Sequence, residues 1–337
     1  VKFKATHYLY NMLCIHSLKN DPFYNLAMEE YMLRSTGAEV FILWRSNPAV
    51  VVGKHQNALA EVNYRFIREH HISVARRLTG GGTVYHDPGN INFTFIRNGE
   101  PGKLVNFEGF MSPIISFLRK SGVEAIRGSK NELLASGKKI SGNAEHVYRN
   151  RVLHHGTLLY CTNLNALHES IRSGPGRFID KAVQSNRSSV MNLIDNLTGA
   201  PDINDFCVSF LHDILLDFGG RSYMPSKEEQ LAIQKLAHEK YSSWDWIYGW
   251  SPDYEYVREF SAGDFDLNIQ LKVHRGEIIT CTIKSTALPA KKLEKLSNTL
   301  TGTRHEENNI RDKLTACNLK VLLTENVFKE LVFAFFY

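Results

Sequence analysis

Two stretches of this 337-residue chain combine residue types and spacings that could do chemistry. The first is Arg76-Arg77-Leu78-Thr79-Gly80-Gly81-Gly82-Thr83-Val84-Tyr85-His86-Asp87. Three consecutive glycines let backbone N–H groups approach an oxyanion closely, so the run reads as a cradle for phosphate. A glycine cluster is also commonly a plain turn. No Lys-Ser or Lys-Thr follows at Walker A spacing, and no Gly-x-Gly-x-x-Gly opens a helix.

The second stretch runs from Arg127-Gly128-Ser129-Lys130-Asn131-Glu132 through Ser136-Gly137-Lys138-Lys139-Ile140-Ser141-Gly142-Asn143, with His154-His155-Gly156-Thr157 on a strand beyond it. Its glycines, lysines and small hydroxyl residues suit a charged, extended ligand. Lys138 reads as a solvated charge. Lys139, between a turn and a β-prone segment, is either another solvated charge or an ammonium turned inward by strand alternation. Turned inward, it would hold a carboxylate and a phosphate together. His154 and His155 are adjacent on one strand and face opposite ways, so they cannot share a metal that wants three or four converging ligands.

The elements that must position these residues follow from periodicity. Leu13 to Ile15 reads as a strand, and Asp21-Pro22 opens a helix with Tyr24, Ala27, Met28, Tyr31 and Met32 at helical spacing. Val40 to Trp44 and Ala49 to Val52 are β-prone, and Asn47-Pro48 between them marks a hairpin or a sharp corner. Trp44 reads as core or as a pocket wall. Tyr64 to His70 is a short helix leading to the glycine loop, and Ile91, Phe93 and Phe95 alternate with Asn92 and Thr94 as in a half-buried strand. Phe107 to Lys120 is an amphipathic helix closed by Ser121-Gly122, and Val152 to Tyr160 is a strand. Arg172 to Arg187, with Gly174-Pro175-Gly176, reads as a mobile loop able to close over a ligand. Phe206 to Phe218 and Lys227 to Tyr241 are helical. Composition changes near Trp250-Ser251-Pro252, after which three strands (Tyr254 to Phe260, Phe265 to Val273, Ile278 to Ile283) and a helix, Lys291 to Leu300, make a second domain. His305-Glu306-Glu307 lacks the second histidine of a zinc-protease motif.

Bulk properties exclude several classes. A formal charge of +5 favours acidic ligands over wrapping of nucleic acid. No apolar run is long enough for a bilayer span, which excludes a helical membrane protein. The five cysteines, Cys14, Cys161, Cys207, Cys281 and Cys317, are scattered without a Cys-x-x-Cys pair, as suits a reducing compartment without structural zinc. A cytoplasmic protein is expected. Lys2 and Lys4, with no acidic residue before Asp21, also fit the stub of a transit peptide, which would make it mitochondrial in a eukaryote.

A run of motifs then carries a resemblance. Asp21 to Glu30, Leu43-Trp44-Arg45, Val52-Gly53-Lys54-His55-Gln56-Asn57, Arg76 to Asp87, Gly137 to Gly142, His155-Gly156-Thr157-Leu158-Leu159, Lys181, Ser185 to Leu193 and Ser243-Trp244-Asp245-Trp246 follow in the order found in lipoate–protein ligases. The chain resembles that family over nearly its whole length. The resemblance implies an α/β fold, a mixed sheet with flanking helices of the biotin and lipoate ligase type, plus a small C-terminal α/β accessory domain. It implies a large catalytic domain at 1–248 and the accessory domain at 249–337. The implied activity uses ATP and Mg2+ to convert lipoic acid to lipoyl-AMP, then passes the lipoyl group to one lysine of a lipoyl domain. Acceptors would be acyltransferase subunits of 2-oxo acid dehydrogenase complexes and the glycine cleavage H protein.

Carried onto this sequence, the resemblance makes Lys139 the catalytic cation, contacting lipoate carboxylate and nucleotide phosphate. Thr83, Val84, Tyr85 and His86 would receive the adenylate, with Gly80, Gly81 and Gly82 permitting its approach. Trp44, Arg77 and His155 become pocket walls, while Arg77 and His155 also have a competing use in hydrogen-bonding the loop. Ser141, Gly142, Gly156, Thr157 and Lys181 join the substrate site. Asn131 and Glu132 match an Asn-acid position as nucleotide and magnesium contacts. Leu78 replaces a small hydroxyl residue, so only its backbone can serve, and the Leu134 to Lys139 segment is short for the family. A transferase using only preformed lipoyl-AMP shares almost every motif. An octanoyltransferase would need a cysteine nucleophile, for which Cys161 is the nearby candidate, and a non-catalytic lipoate or lipoyl-domain binder ranks last.

Overall fold

Burial of alternating side chains on two sets of strands organises the chain. The computed structural model describes residues 12–99, 104–171, 174–185, 188–197 and 199–337. The transit-peptide reading at Lys2 and Lys4, and residues 172, 173, 186 and 187 of the expected mobile loop, lie outside the described residues. The fold divides into two compact units, Val1–Asn47 with His86–Leu164 and Arg187–Tyr241, and Pro48–Tyr85 with Asn165–Asn186 and Ser242–Tyr337.

The first unit is built on an eight-stranded mixed sheet. Its spatial order is Arg221–Ser222, Leu13–Ser17, Val40–Trp44, Asn90–Asn98, Arg151–Leu159, Lys138–Tyr148, Glu132–Ala135 and Ala125–Arg127. Leu13–Ser17 pairs in parallel with both of its neighbours, and the remaining pairs are antiparallel. Alternation sends Phe41, Leu43, Ile91, Phe93 and Phe95 into a core shared with Phe110, Ile114 and Phe117 of helix Phe107–Lys120 and Phe206 and Phe210 of helix Ile203–Phe218. Fully burying a side chain of this size is worth about 1.5–3 kcal/mol, so this aromatic layer dominates the unit's stability. Helix Pro22–Ser35 begins where expected, with the Asp21 side chain accepting from the Phe23 N–H and proline in the first turn.

The second unit holds a three-stranded sheet, ordered Ser73–Arg76, Ala49–Val52, Val84–His86, and a four-stranded antiparallel sheet, ordered Arg177–Asp180, Tyr254–Ala262, Phe265–His274, Glu277–Lys284. Helices Ala290–Leu300, Glu307–Ala316 and Glu325–Phe333 supply Leu296, Leu300, Ile310, Leu314, Phe328 and Leu331 as buried residues. One open alternative is resolved and one expectation changes here. Asn47-Pro48 is a corner and not a hairpin, because Val40–Trp44 and Ala49–Val52 belong to different sheets. Arg177–Asp180, expected within a mobile loop, is a strand paired with Tyr254–Val257.

Candidate active site

Of the sequence-derived residues, Trp44, His86, Asn131, Glu132, Lys139, Ser141, Gly142, His155, Gly156 and Thr157 lie in the first unit, and Arg77 to Tyr85 with Lys181 in the second. Each group is built by its own local logic.

In the first unit, Ser136 and Gly137, both at positive φ (49° and 74°), form a two-residue turn between Glu132–Ala135 and Lys138–Tyr148. Positive φ at both central residues is the geometry that suits the twist of a tight hairpin. Lys138 is exposed and Lys139 half-buried, between Lys138 and the fully buried Ile140. The Lys139 backbone is held on its other side too: its N–H donates to Ser189 O at 2.9 Å, and Met191 N–H donates to its carbonyl at 3.1 Å. Its side chain lies along its own strand, so a Cβ at Gly142 would sit 3.3 Å from both Cε and Nζ. Gly142 N–H donates to Thr157 Oγ1 at 3.2 Å, and Ser141 is buried with its Oγ accepting from Asn143 Nδ2. Together these fix a cation beside a small-residue strand face.

The two histidines do face opposite ways. His155 Nδ1 lies 3.0 Å from Glu29 Oε2. The same buried carboxylate accepts from Trp44 Nε1 at 3.3 Å and from the Thr94 hydroxyl. Glu29 thus ties together two of the expected pocket walls, and Trp44 stands edge-on to His86 at 5.4 Å. Fully buried His154 turns to the aromatic core, its ring 4.9 Å from and nearly parallel to Phe110. Burial pushes its imidazolium pKa down, and the nearby Glu145 carboxylate partly offsets this. Asn131 occupies the left-handed region at φ 58°, and the Glu132 carboxylate folds over Gly128, where a Cβ would come within 2.3 Å of Oε1.

In the second unit the glycine loop is held from beneath by arginine. Arg77 is buried; its Nε donates to Thr79 Oγ1, Nη1 to Val51 O, and Nη2 to Gly80 O and Gly82 O, both at 2.7 Å. Of its two expected uses, this geometry is the loop-holding one. A Cβ at Gly53 would lie 2.1 Å from Gly81 O, so only glycine fits under the loop. Arg76 is fully buried and donates to the carbonyls of Gly53, Gln56 and Ile247 at 2.6–2.9 Å and to Ser251 Oγ at 2.9 Å. Burial, then its neighbour Arg77, pushes its guanidinium down to about 9. Leu78 is buried, as a residue serving by its backbone alone can be, and Lys181 is exposed.

Sequence reasoning missed the carboxylate above this loop. Glu61 accepts from the Ser185 N–H at 3.2 Å and from the Ser185 hydroxyl, with Thr83 Oγ1 3.0 Å away. Ser185 Oγ in turn accepts from the Thr83 N–H at 2.7 Å and from Gln56 Nε2 at 3.1 Å. The Thr83 amide, one of the expected adenylate donors, therefore points at an oxygen held by a carboxylate. Gln56 and Ser185 each fall within a quoted motif, but Glu61 does not, and its partner Ser185 lies more than a hundred residues away.

Among the described residues no group of three or more His, Cys, Asp or Glu side chains could hold a metal ion. Glu132, the expected magnesium contact, belongs to no such group.

Comparison with known proteins identifies the family. The lipoyl protein ligase A/B catalytic domain matches residues 21–215, and the bacterial lipoate protein ligase C-terminus matches 251–334. The chain is 35% identical to lipoate–protein ligase 1 of Staphylococcus aureus and 32% identical to lipoate-protein ligase LplJ of Bacillus subtilis, each over 89% of this chain and 92% of the relative. It is 30% identical to the mitochondrial lipoyl amidotransferase LIPT1 of Mus musculus over 87% of this chain and 82% of that protein. Among solved structures, Plasmodium falciparum LipL1 in complex with lipoate matches with a TM-score of 0.60 at 22% identity, covering 96% of this chain and 98% of that one. A lipoate-protein ligase A bound with ATP matches with a TM-score of 0.60 at 24% identity, covering 71% and 98%. A structure from a study of the bi-partite lipoate protein ligase of Thermoplasma acidophilum and its E2 lipoyl domain matches with a TM-score of 0.61 at 23% identity, covering 71% of this chain and 96% of that one. The mixed α/β fold with a C-terminal accessory domain is therefore that of lipoate ligases, and the chain belongs to the lipoate–protein ligase family.

Proposed function

We propose that this family member is a complete ligase that activates lipoic acid with ATP and then lipoylates a lysine of lipoyl domains. The observation that carries the reading is Lys139, half-buried, with its backbone bonded on both sides and its ammonium laid against Gly142. In the first step a lipoate carboxylate oxygen attacks the α-phosphorus of ATP, the bond to the β-phosphate breaks, and pyrophosphate leaves. Two anions must meet, and a fixed ammonium offsets their repulsion in the crowded transition state. Magnesium, held by the phosphates with Glu132, would supply charge neutralisation there.

In the second step the acceptor lysine attacks the acyl carbon of lipoyl-AMP, the bond to the phosphate oxygen breaks, AMP leaves, and the amine proton passes to solvent. The amine must be neutral, and the Lys139 charge disfavours a second ammonium beside it. A mixed anhydride is already an activated donor, so no enzyme nucleophile is needed. The Cys161 thiol is exposed but suits that role poorly, since partial desolvation and then the nearby Asp87 push its pKa up and reduce its thiolate. Glu29 orients Trp44 and His155 as walls for the acyl chain, and the glycine loop with Thr83 to His86 takes the adenylate.

We read 1–248 as the catalytic domain and 249–337 as the accessory domain. Acceptors are lipoyl domains of 2-oxo acid dehydrogenase acyltransferase subunits and the glycine cleavage H protein, which sets the place of action in the cytoplasm, or in mitochondria in a eukaryote. Among the described residues no helix is long and apolar enough to cross a membrane. The named likeness to a lipoyl amidotransferase favours a second reading, transfer from preformed lipoyl-AMP alone. Mass spectrometry of a lipoyl domain incubated with the protein, lipoate, ATP and magnesium separates them. A gain of one lipoyl group is expected; no gain, where added lipoyl-AMP gives one, selects the transferase.

A further inference from the structure

A hydrogen-bonded chain inside the first unit links its aromatic core to the Asn131-Glu132 turn. Asn106 N–H donates to Glu145 Oε2 at 3.2 Å, and Glu145 Oε1 lies 3.0 Å from His154 Nδ1. His154 Nε2 lies 3.3 Å from Asn143 Oδ1. The Asn143 amide nitrogen donates to Asn131 O and to Ser141 Oγ, both at 3.1 Å, and the Asn143 backbone N–H donates to the same Asn131 carbonyl at 3.1 Å. With its NH2 so committed, Asn143 turns its carbonyl to His154, so Nε2 carries a proton and a second proton lies between Nδ1 and Glu145 Oε1. Phe93, Phe107 and Phe110 ring His154, so it has no room to swing away. Gly156 is needed for the same reason, since a Cβ there would meet Asn143 Oδ1 at 2.3 Å.

The chain ends on Asn131, in the left-handed region at φ 58°. Asparagine adopts that conformation more readily than other non-glycine residues, and hydrogen bonds to its carbonyl can select it. At Asn131 two hydrogen bonds from Asn143 do so. We infer that His154 is a positioning residue: oriented by Glu145, it fixes Asn143 and thereby holds the Asn131-Glu132 turn in place for the magnesium-bound pyrophosphate portion of ATP. This rests on the ligase reading above. It separates the two half-reactions, because lipoyl-AMP has already lost that portion of the nucleotide.

The test is the kinetics of His154→Leu and His154→Gln, which differ in whether a donor remains at the Nε2 position. The Leu variant is expected to weaken equilibrium binding of magnesium-ATP, read by calorimetry without lipoate, about tenfold, and to raise the KM for ATP in pyrophosphate release by a similar factor, the loss of one good hydrogen-bonded constraint. Its KM for lipoate and its transfer rate from added lipoyl-AMP should stay at the wild-type values, and the Gln variant should recover most of the ATP effect. Asn143→Ser, which spares the aromatic core, should repeat the Leu pattern if His154→Leu does not fold. An unchanged ATP KM in a folded Leu or Ser variant overturns the inference, as does a Gln variant no better than Leu. If the wild type lacks ATP-dependent pyrophosphate release but transfers from lipoyl-AMP, the ligase reading fails and takes this inference with it.

Discussion

At the scale of single residues, the chemistry was partly legible in the sequence. Lys139 could be singled out because a turn and a β-prone segment fix its phase, and neighbouring Lys138 is indeed the exposed one. Glu29, Glu61, Asn143 and Glu145 were not singled out, because each gains meaning from partners far along the chain, such as His155 for Glu29 and Ser185 for Glu61. Two substitutions test the assignment. Lys139→Ala should lower the adenylation rate by about a hundred- to a thousand-fold, the usual cost of removing a group aimed at developing charge. Measured as pyrophosphate release at saturating ATP and lipoate, a rate within tenfold of wild type would refute a catalytic role. Cys161→Ala should change neither half-reaction, and mass spectrometry of the wild type with octanoyl or lipoyl donors should find no acyl-enzyme. A thioester on Cys161 together with a dead alanine variant would select the octanoyltransferase chemistry instead.

Among the elements, those with a strong local signal appeared where periodicity put them. Phe107–Lys120 matches the expected bounds, and Asp21-Pro22 starts its helix with the side-chain cap that those residues favour. Pairing partners were not legible, since strand register depends on residues distant in sequence. That is why Asn47-Pro48 could read as a hairpin, and why the short Arg177–Asp180 strand was hidden inside a glycine- and serine-rich segment. The glycine loop shows how an element can depend on a residue outside it. Gly53, from a different stretch, lies so close to Gly81 O that any side chain must displace the loop. Gly53→Ala should therefore destabilise the protein by about 1–3 kcal/mol, the usual range for overpacking. It should also raise the KM for ATP more than that for lipoate, because the displaced backbone is the proposed adenylate cradle. Thermal melting and the two KM values check this, and an alanine variant with wild-type melting would mean that the loop yields freely.

Taken whole, the chain shows a grouping that no local pattern announces: each unit is assembled from three separated segments. Domain boundaries read from composition follow the chain's order, whereas contact-defined units follow packing, and the two need not coincide. A property of the whole molecule that burial does determine is its acid stability. His305 is buried, with Nε2 2.6 Å from Phe335 O and Nδ1 2.7 Å from Tyr254 Oη, and burial pushes its pKa down to about 4. Its ordinary value is near 6.5, so between those two values the unfolded chain binds a proton that the folded one refuses. The neutral ring's contribution is thus fully present above about pH 6.5 and is lost progressively as pH falls toward 4, at roughly 1.4 kcal/mol per pH unit across the window. His16, also pushed down by burial and then by Arg45, acts in the same direction. Melting temperature should fall steadily as pH drops from 7 to 4. His305→Gln, which keeps a polar amide in the site but cannot titrate, should start less stable at pH 7 and lose less on acidification. If the variant and the wild type fall in parallel over this range, the acid sensitivity lies in groups other than His305.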